Sequence, residues 1–185
     1  MTHPLLRPQP PRAWQFEDLL DTPDDGYRYE IYDGSLLVTP QPPLPHAGLV
    51  FRLRRGLDRQ APETLAVSEG IGVLRDNGTS YFVPDLVIFD ADLFGRPLSA
   101  LPPTAVHLVA EVVSPGNPNN DLVIKRHGYA MIGVPEYWII DSRTREFLVL
   151  TDPSPFGYQA EEKRSREIRG TAPFPYRLDL DALFG

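Results

Sequence analysis

The sequence predicts a mixed α+β domain organised around a central sheet. Three observations carry this. Short β-prone runs recur along the chain, two stretches with helical spacing of apolar residues interrupt them, and the element order (helix, hairpin, helix, strands, helix, strand) is not a strict βαβ repeat. At 185 residues, with 42% hydrophobic and 23% charged side chains, the chain suits one domain with a substantial core.

Residues 1–12 hold four prolines and no apolar periodicity, which predicts a flexible proline-rich arm ahead of a single domain over 13–185. Phe16, Leu19 and Leu20 have the spacing of a short helix, ended by Asp24-Asp25-Gly26. Tyr27 to Val38 reads as a β-hairpin, because Asp33-Gly34 between two β-prone runs supports the positive φ of a tight turn. Prolines at 40, 42, 43 and 45 form a stiff connection. His46 to Gln60 places Val50, Leu53 and Leu57 on one helical face and Arg52, Arg55 and Arg59 on another. Val67 to Leu74, interrupted by Gly70 and Gly72, is expected as a strand, and Ser80 to Asp90 as the next. A loop from Asp92 to Pro103, with a helical turn at its start, leads to a strand over Val106 to Val113. Ser114-Pro115-Gly116-Asn117-Pro118 ends that strand. Asn120 to Ile132 is compatible with a helix that Gly128 weakens. Glu136 to Asp141 and Glu146 to Leu150 are strands, Tyr158 to Ile168 is a polar edge strand, and Tyr176 to Leu180 alternates like a closing one.

Composition narrows the chemistry. With no cysteine, disulfides and thiolate zinc sites are excluded. A net charge of −7 and a pI near 5.0 work against general nucleic-acid affinity, which comes from neutralising phosphates. Acidic residues are nonetheless what a hard-metal site needs, and a local basic strip can still hold a nucleic-acid backbone. No run approaches membrane-spanning length, and the first twenty residues lack an apolar stretch long enough for a signal peptide, so a cytoplasmic protein is expected.

Two carboxylates stand inside apolar runs. Asp85 lies in Phe82-Val83-Pro84-Asp85-Leu86-Val87-Ile88-Phe89, and Glu111 lies 26 residues later in Leu108-Val109-Ala110-Glu111-Val112-Val113. Buried Asp and Glu are rare unless paired or holding a metal, because desolvating a charge costs several kcal/mol. If these runs are sheet neighbours, facing side chains lie ~5 Å apart, a separation one divalent cation can bridge. Magnesium takes oxygen ligands, commonly one or two protein carboxylates, and keeps several waters. Such an ion activates water and stabilises a phosphodiester undergoing hydrolysis, chemistry that benefits from a nearby lysine.

Pro84-Asp85 followed by Glu111 on the next strand resembles the PD-(D/E)XK nuclease superfamily. A wider set of blocks is more specific: Tyr29-Glu30-Ile31-Tyr32-Asp33-Gly34, Val83-Pro84-Asp85, Glu111-Val112-Val113-Ser114-Pro115, Asp121 to Lys125, and Gly133-Val134-Pro135-Glu136-Tyr137-Trp138. In this order they resemble a large bacterial "putative restriction endonuclease" family, from about Trp14 to the C-terminus. The resemblance implies a restriction-endonuclease-like core, with a central mixed sheet flanked by helices and an N-terminal β-hairpin extension. It also implies a Mg²⁺-dependent (or Mn²⁺-dependent) endonuclease acting on DNA, with Asp85 and Glu111 as metal ligands. The superfamily pattern expects a lysine two residues after the second acid, where this chain has Val113. The resemblance suggests that Lys125, 14 residues downstream of Glu111, takes that place. Glu30 is a further catalytic candidate, as an oxygen ligand or a hydrogen-bond partner of bound water. Homodimerisation is expected to the extent that cutting both strands of a duplex matches twofold symmetry.

Plainer roles compete with these. Asp85 alone could cap a turn after Pro84, Glu111 could be an edge-strand charge, and Lys125 a solvated helix residue. His46 could cap its helix, meet substrate phosphate or shuttle a proton. The arginine stripe, with Arg52 and Arg55 as substrate-binding candidates, is equally readable as a solvent face balanced by Asp58 and Glu63. Tyr137 and Trp138 are expected in the core, His107 and His127 in structural roles, and Asp121 as a cap for the helix carrying Lys125. The main rival function is a catalytically degenerate nuclease fold that binds nucleic acid or protein, which Val113 and the acidic net charge favour. A third is a metal-dependent hydrolase of a small phosphoester.

Overall fold

A computed structural model describes residues 12–113 and 119–185. The expected N-terminal arm, Arg12 apart, and the expected break at Ser114 to Pro118 lie outside the described residues. The chain passes through a 3-10 turn (Phe16–Asp21), β1 (Tyr27–Tyr32), β2 (Ser35–Pro40) and α1 (Leu44–Asp58). Short strands β3 (Leu65–Ser68), β4 (Val73–Leu74), β5 (Tyr81–Phe82) and β6 (Leu86–Asp90) follow, then 3-10 turns at Ala91–Gly95 and Pro103–Ala105. After β7 (Val106–Val112), a π-helical stretch (Asn120–Lys125) runs into α2 (Arg126–Met131). The last elements are β8 (Glu136–Asp141), β9 (Glu146–Ser154), β10 (Gly157–Arg164), β11 (Glu167–Gly170), β12 (Tyr176–Asp179) and α3 (Leu180–Phe184).

Six strands form the central sheet in the order β10-β9-β8-β7-β6-β3. Only β7 and β8 pair in parallel; the other neighbours are antiparallel, so the sheet is mixed. Both faces are covered. On one, Leu49, Leu53 and Leu57 of α1 pack on Leu86, Ile88, Leu108 and Ala110, and β12 and α3 extend that layer through Leu178 and Leu183. On the other, Tyr129 and Ala130 of α2 pack on Val87, Val109, Tyr137 and Ile139. This two-sided burial explains why β7 and β8 read as nearly continuous apolar runs.

The hairpin forms as expected. Asp33 and Gly34 take φ values of 44° and 77°, the conformation a two-residue turn between twisted strands requires. It belongs to a second, four-stranded sheet ordered β2-β1-β5-β4.

Two expected strands are each divided. Val67 to Leu74 splits into β3 and β4, which lie in different sheets, because Gly70 turns the chain at φ 69°. Ser80 to Asp90 splits into β5 and β6, again in different sheets. Pro84 has no N–H to continue a ladder, and the Val83 N–H donates instead to Glu30 Oε1 at 2.8 Å. Asp85 therefore stands at the passage between the two sheets, not within one strand. The expected Tyr158 to Ile168 strand also divides, and β11 pairs only with β12. Among the described residues no helix is long and apolar enough to cross a membrane.

The helix expected over Asn120 to Ile132 forms, but as a π-helical stretch leading into a short α-helix. Its glycine has a packing reason. A Cβ on Gly128 would lie 2.5 Å from the Phe82 ring, so the absent side chain lets α2 sit on β5. Gly128→Ala, which favours a helix on intrinsic propensity, is accordingly expected to destabilise the protein by about 1–3 kcal/mol through overpacking. Urea unfolding of the two proteins checks this; a stability gain would show that the contact is not restrictive.

Candidate active site

Neighbouring strands build the site from both sheets. In the β6–β7 register Leu86 lies opposite Ala110, which sets Asp85, just before β6, beside the end of β7 that carries Glu111. Asp85 Oδ2 accepts the Val112 N–H at 2.9 Å. Glu111 shares the parity of Val109 and Val113 and so faces α2. Its Oε1 accepts from Lys125 Nζ and from the Tyr129 hydroxyl, both at 2.8 Å. From the hairpin, Glu30 brings Oε1 to 3.1 Å from Lys125 Nζ. The structure thus brings Glu30, Asp85, Glu111 and Lys125 into one buried cluster, each less than a tenth exposed.

The two acids keep different partners. Glu111 is held from the α2 side by Lys125 and Tyr129. Asp85 is held by Arg28 of β1, with Nη1 3.2 Å from Oδ1, and by His46 of α1, with Nε2 2.9 Å from Oδ2. His46 Nε2 also lies 3.0 Å from the Val112 carbonyl oxygen. Both neighbours of Nε2 are acceptors, so this nitrogen carries the proton. His46 is therefore buried beside Asp85, in α1's first turn rather than at its cap.

Charge explains how the cluster persists. Burial alone would push the Asp85 carboxyl up, but the His46 hydrogen bond and charge, with Arg28, bring it down to about 2. Burial, reinforced by Asp85, Asp121 and Glu30, drives the Glu111 carboxyl upward against the pull of Lys125. For Lys125, burial disfavours the ammonium, yet Glu111, Glu30 and Asp121 together hold its proton well above the usual lysine range. Desolvation likewise opposes the His46 imidazolium, and Asp85 outweighs it, raising the histidine.

Other sequence expectations resolve less centrally. Arg52 donates from Nε to the Leu183 carbonyl at 2.7 Å, tying α1 to α3, and Arg55 is exposed near the end of α1. Among the described residues neither is bonded to the carboxylate cluster. Asp121 is not a helix cap; its Oδ1 lies 3.9 Å from Lys125 Nζ. His107 pairs with Asp90 and His127 with the Tyr32 hydroxyl. Tyr137 and Trp138 are buried in the core.

Two members of the cluster escaped the sequence reading. Arg28 is two residues before Glu30 on a strand and Tyr129 is four after Lys125 on a helix, so each shares a face with a named candidate.

Carboxylate oxygens are the ligand type that a hard divalent cation takes. Among the described residues Glu30 Oε2 is buried with no hydrogen-bond partner, a costly state for a carboxylate oxygen. Among the described residues no three His, Asp or Glu side chains are already arranged as a cage for an ion. Magnesium does not require one, since it commonly takes one or two carboxylates and retains waters.

Fold and site together define a mixed-sheet α+β protein with a buried carboxylate–lysine centre at the junction of two sheets. The family model described as "Uma2: Putative restriction endonuclease" matches residues 15–182, and the chain belongs to this family. A crystal structure at 1.96 Å of "a putative nuclease belonging to DUF820" from Anabaena variabilis ATCC 29413 has the same fold. It aligns with a TM-score of 0.72 and 16% identity, over 92% of this chain and 97% of that one. No curated protein matches the chain.

Lys125 compensates two buried carboxylates, so Lys125→Met should destabilise the protein by about 3–5 kcal/mol. Adding Glu111→Gln to that variant should recover part of the loss; absence of any recovery in denaturant unfolding would show that the pair is not coupled. Asp85 has a depressed folded pKa, so its stabilising contribution is complete above the unfolded value of 3.8 and is lost as pH falls toward about 2. His46→Gln removes the first partner that lowers it and should move the acid-unfolding midpoint to higher pH, read by tryptophan fluorescence.

Proposed function

We propose that the protein is a metal-dependent endonuclease with a restriction-endonuclease-like core, hydrolysing DNA phosphodiester bonds. The observation that carries this reading is the Lys125 ammonium, buried 2.8 Å from Glu111 and 3.1 Å from Glu30, beside an Asp85 carboxylate bonded to the backbone next to Glu111. A plain salt bridge does not call for three acids, Glu30, Glu111 and Asp121, around one buried lysine with a fourth, Asp85, held close by on Arg28 and His46. Membership of the family supports the same reading.

Asp85 and Glu111 would hold one Mg²⁺ or Mn²⁺, which supplies Lewis-acid stabilisation of the phosphoryl oxygens and a more acidic bound water. The protein's own groups do the rest. Arg28 and His46 keep the Asp85 carboxylate ionised and oriented. Lys125 remains an ammonium; it orients the attacking water by donation and opposes the charge that builds on the phosphate during in-line displacement. Tyr129 fixes the Glu111 oxygen that Lys125 also grips. Glu30, with one oxygen unpartnered, accepts a hydrogen bond from water entering the site. Displacement of Lys125 to a helix explains how Val113 can stand where the superfamily pattern has lysine.

Circular single-stranded and duplex DNA incubated with Mg²⁺ or Mn²⁺ should be converted to linear or nicked forms. Glu111→Gln and Lys125→Ala should each slow the reaction by about 10²-fold or more. Asp85→Ala should abolish Mn²⁺ binding by calorimetry. Full activity in Glu111→Gln would eliminate this mechanism, and Mn²⁺ binding without cleavage of any DNA would favour a binding module built on the same fold.

A further inference from the structure

On the hairpin side of the carboxylate cluster lies an open cleft of about 640 Å³. Its walls come from the Phe16–Asp21 turn, from β1, and from Tyr81 and Val83 on either side of β5's end. Phe16, Tyr27, Tyr29 and Tyr81 make it aromatic, and the Phe16 and Tyr81 rings pack with centroids 4.9 Å apart. Among the described residues Arg28 is the only basic one lining it and Asp24 the only acidic one. Leu20, on the turn, is 72% exposed.

Arg28 joins the cleft to the candidate active site. Among the described residues its hydrogen bonds come from Nη1, to the Val83 carbonyl at 3.0 Å and to Asp85 Oδ1 at 3.2 Å. A guanidinium has five N–H donors in a planar fork that matches phosphate, so most of that capacity remains for a ligand. Val83, which also lines the cleft, is two residues from Asp85 and donates its N–H to Glu30.

We propose that this cleft binds a single-stranded segment of nucleic acid, with an unstacked base against the aromatic wall and the adjoining phosphate on Arg28. The inference rests on the nuclease reading above and names its substrate form. Three physical points favour a single strand over a duplex. The cleft is open and lined by aromatic rings, a surface on which an unpaired base can stack and which the already stacked bases of a duplex cannot use. Base–aromatic stacking does not depend on charge, whereas a duplex is held largely by phosphate neutralisation, which a chain of net charge −7 opposes. One arginine beside several aromatic rings offers a single phosphate anchor among several stacking surfaces.

The test uses the full chain and a fluorescent single-stranded oligonucleotide, with anisotropy measured in EDTA so that cleavage does not intervene. Leu20→Glu places a carboxylate on an exposed wall position outside the buried carboxylate cluster, and serves as the variant expected to retain the fold. Arg28→Gln removes the phosphate contact. Both should weaken single-strand binding at least fivefold, with thermal melting confirming that Leu20→Glu is folded, and unlabelled duplex should compete at least tenfold less well than unlabelled single strand. Unchanged affinity in folded Leu20→Glu, or equal competition by duplex, would overturn the proposal. DNA cleavage by the wild type together with either of those results would leave the nuclease reading standing and remove only the cleft. Single-strand binding lost in Leu20→Glu without any metal-dependent cleavage would do the reverse.

Discussion

Lys125 is the charge on which the arrangement of this protein turns. A lysine 3% exposed is tolerable only because Glu111 and Glu30 meet it from β7 and β1, in two different sheets. The dependence is mutual, since each buried acid would otherwise lack its nearest cation. Through this one ammonium the central sheet, the hairpin sheet and the helical segment before β8 are tied at a single point. The π-helical stretch belongs to the same constraint: it carries Asp121 and Lys125 on the approach to α2, and its backbone is fixed by the Tyr137 hydroxyl donating to the Asp121 carbonyl.

Around that point, two sets of partners divide the negative charge. Arg28 and His46 make Asp85 a firmly ionised carboxylate, while burial and neighbouring acids push Glu111 the other way. Environments that separate the pKa values of two acids in one site are frequent where acid–base or metal chemistry occurs. Four carboxyl groups (Glu30, Asp85, Glu111 and Asp121) thus share Lys125, Arg28 and His46 as their partners.

Much of this was legible in residue types. Asp33-Gly34 announces the hairpin because few other pairs accept two positive φ values in succession. Asp85 and Glu111 stand out because apolar neighbours imply burial, and the β6–β7 register then brings their chain segments together. What could not be read were the sheet assignments of short segments: β4 and β5 are two residues each, too short for any periodicity, and leave the central sheet at Gly70 and Pro84. Arg28 and Tyr129 were hidden differently. A strand arginine among tyrosines and a helical tyrosine among apolar residues are ordinary in isolation, and gain meaning only from the faces they share with Glu30 and Lys125.

The arginine stripe of α1 shows why position on a helix face does not settle a role. Arg52, Arg55 and Arg59 share a spacing, yet Arg52 is bonded to the carbonyl of Leu183, and the cation that reaches the acids is Arg28, from a segment with no basic pattern at all. A stripe of long, exposed side chains follows from the need to solvate one helix face. A single part-buried arginine drawn onto a buried carboxylate is a stronger statement, because its placement has to be compensated by the structure around it. The burial of the partner, rather than the number of basic residues, is what sets Arg28 apart from the stripe.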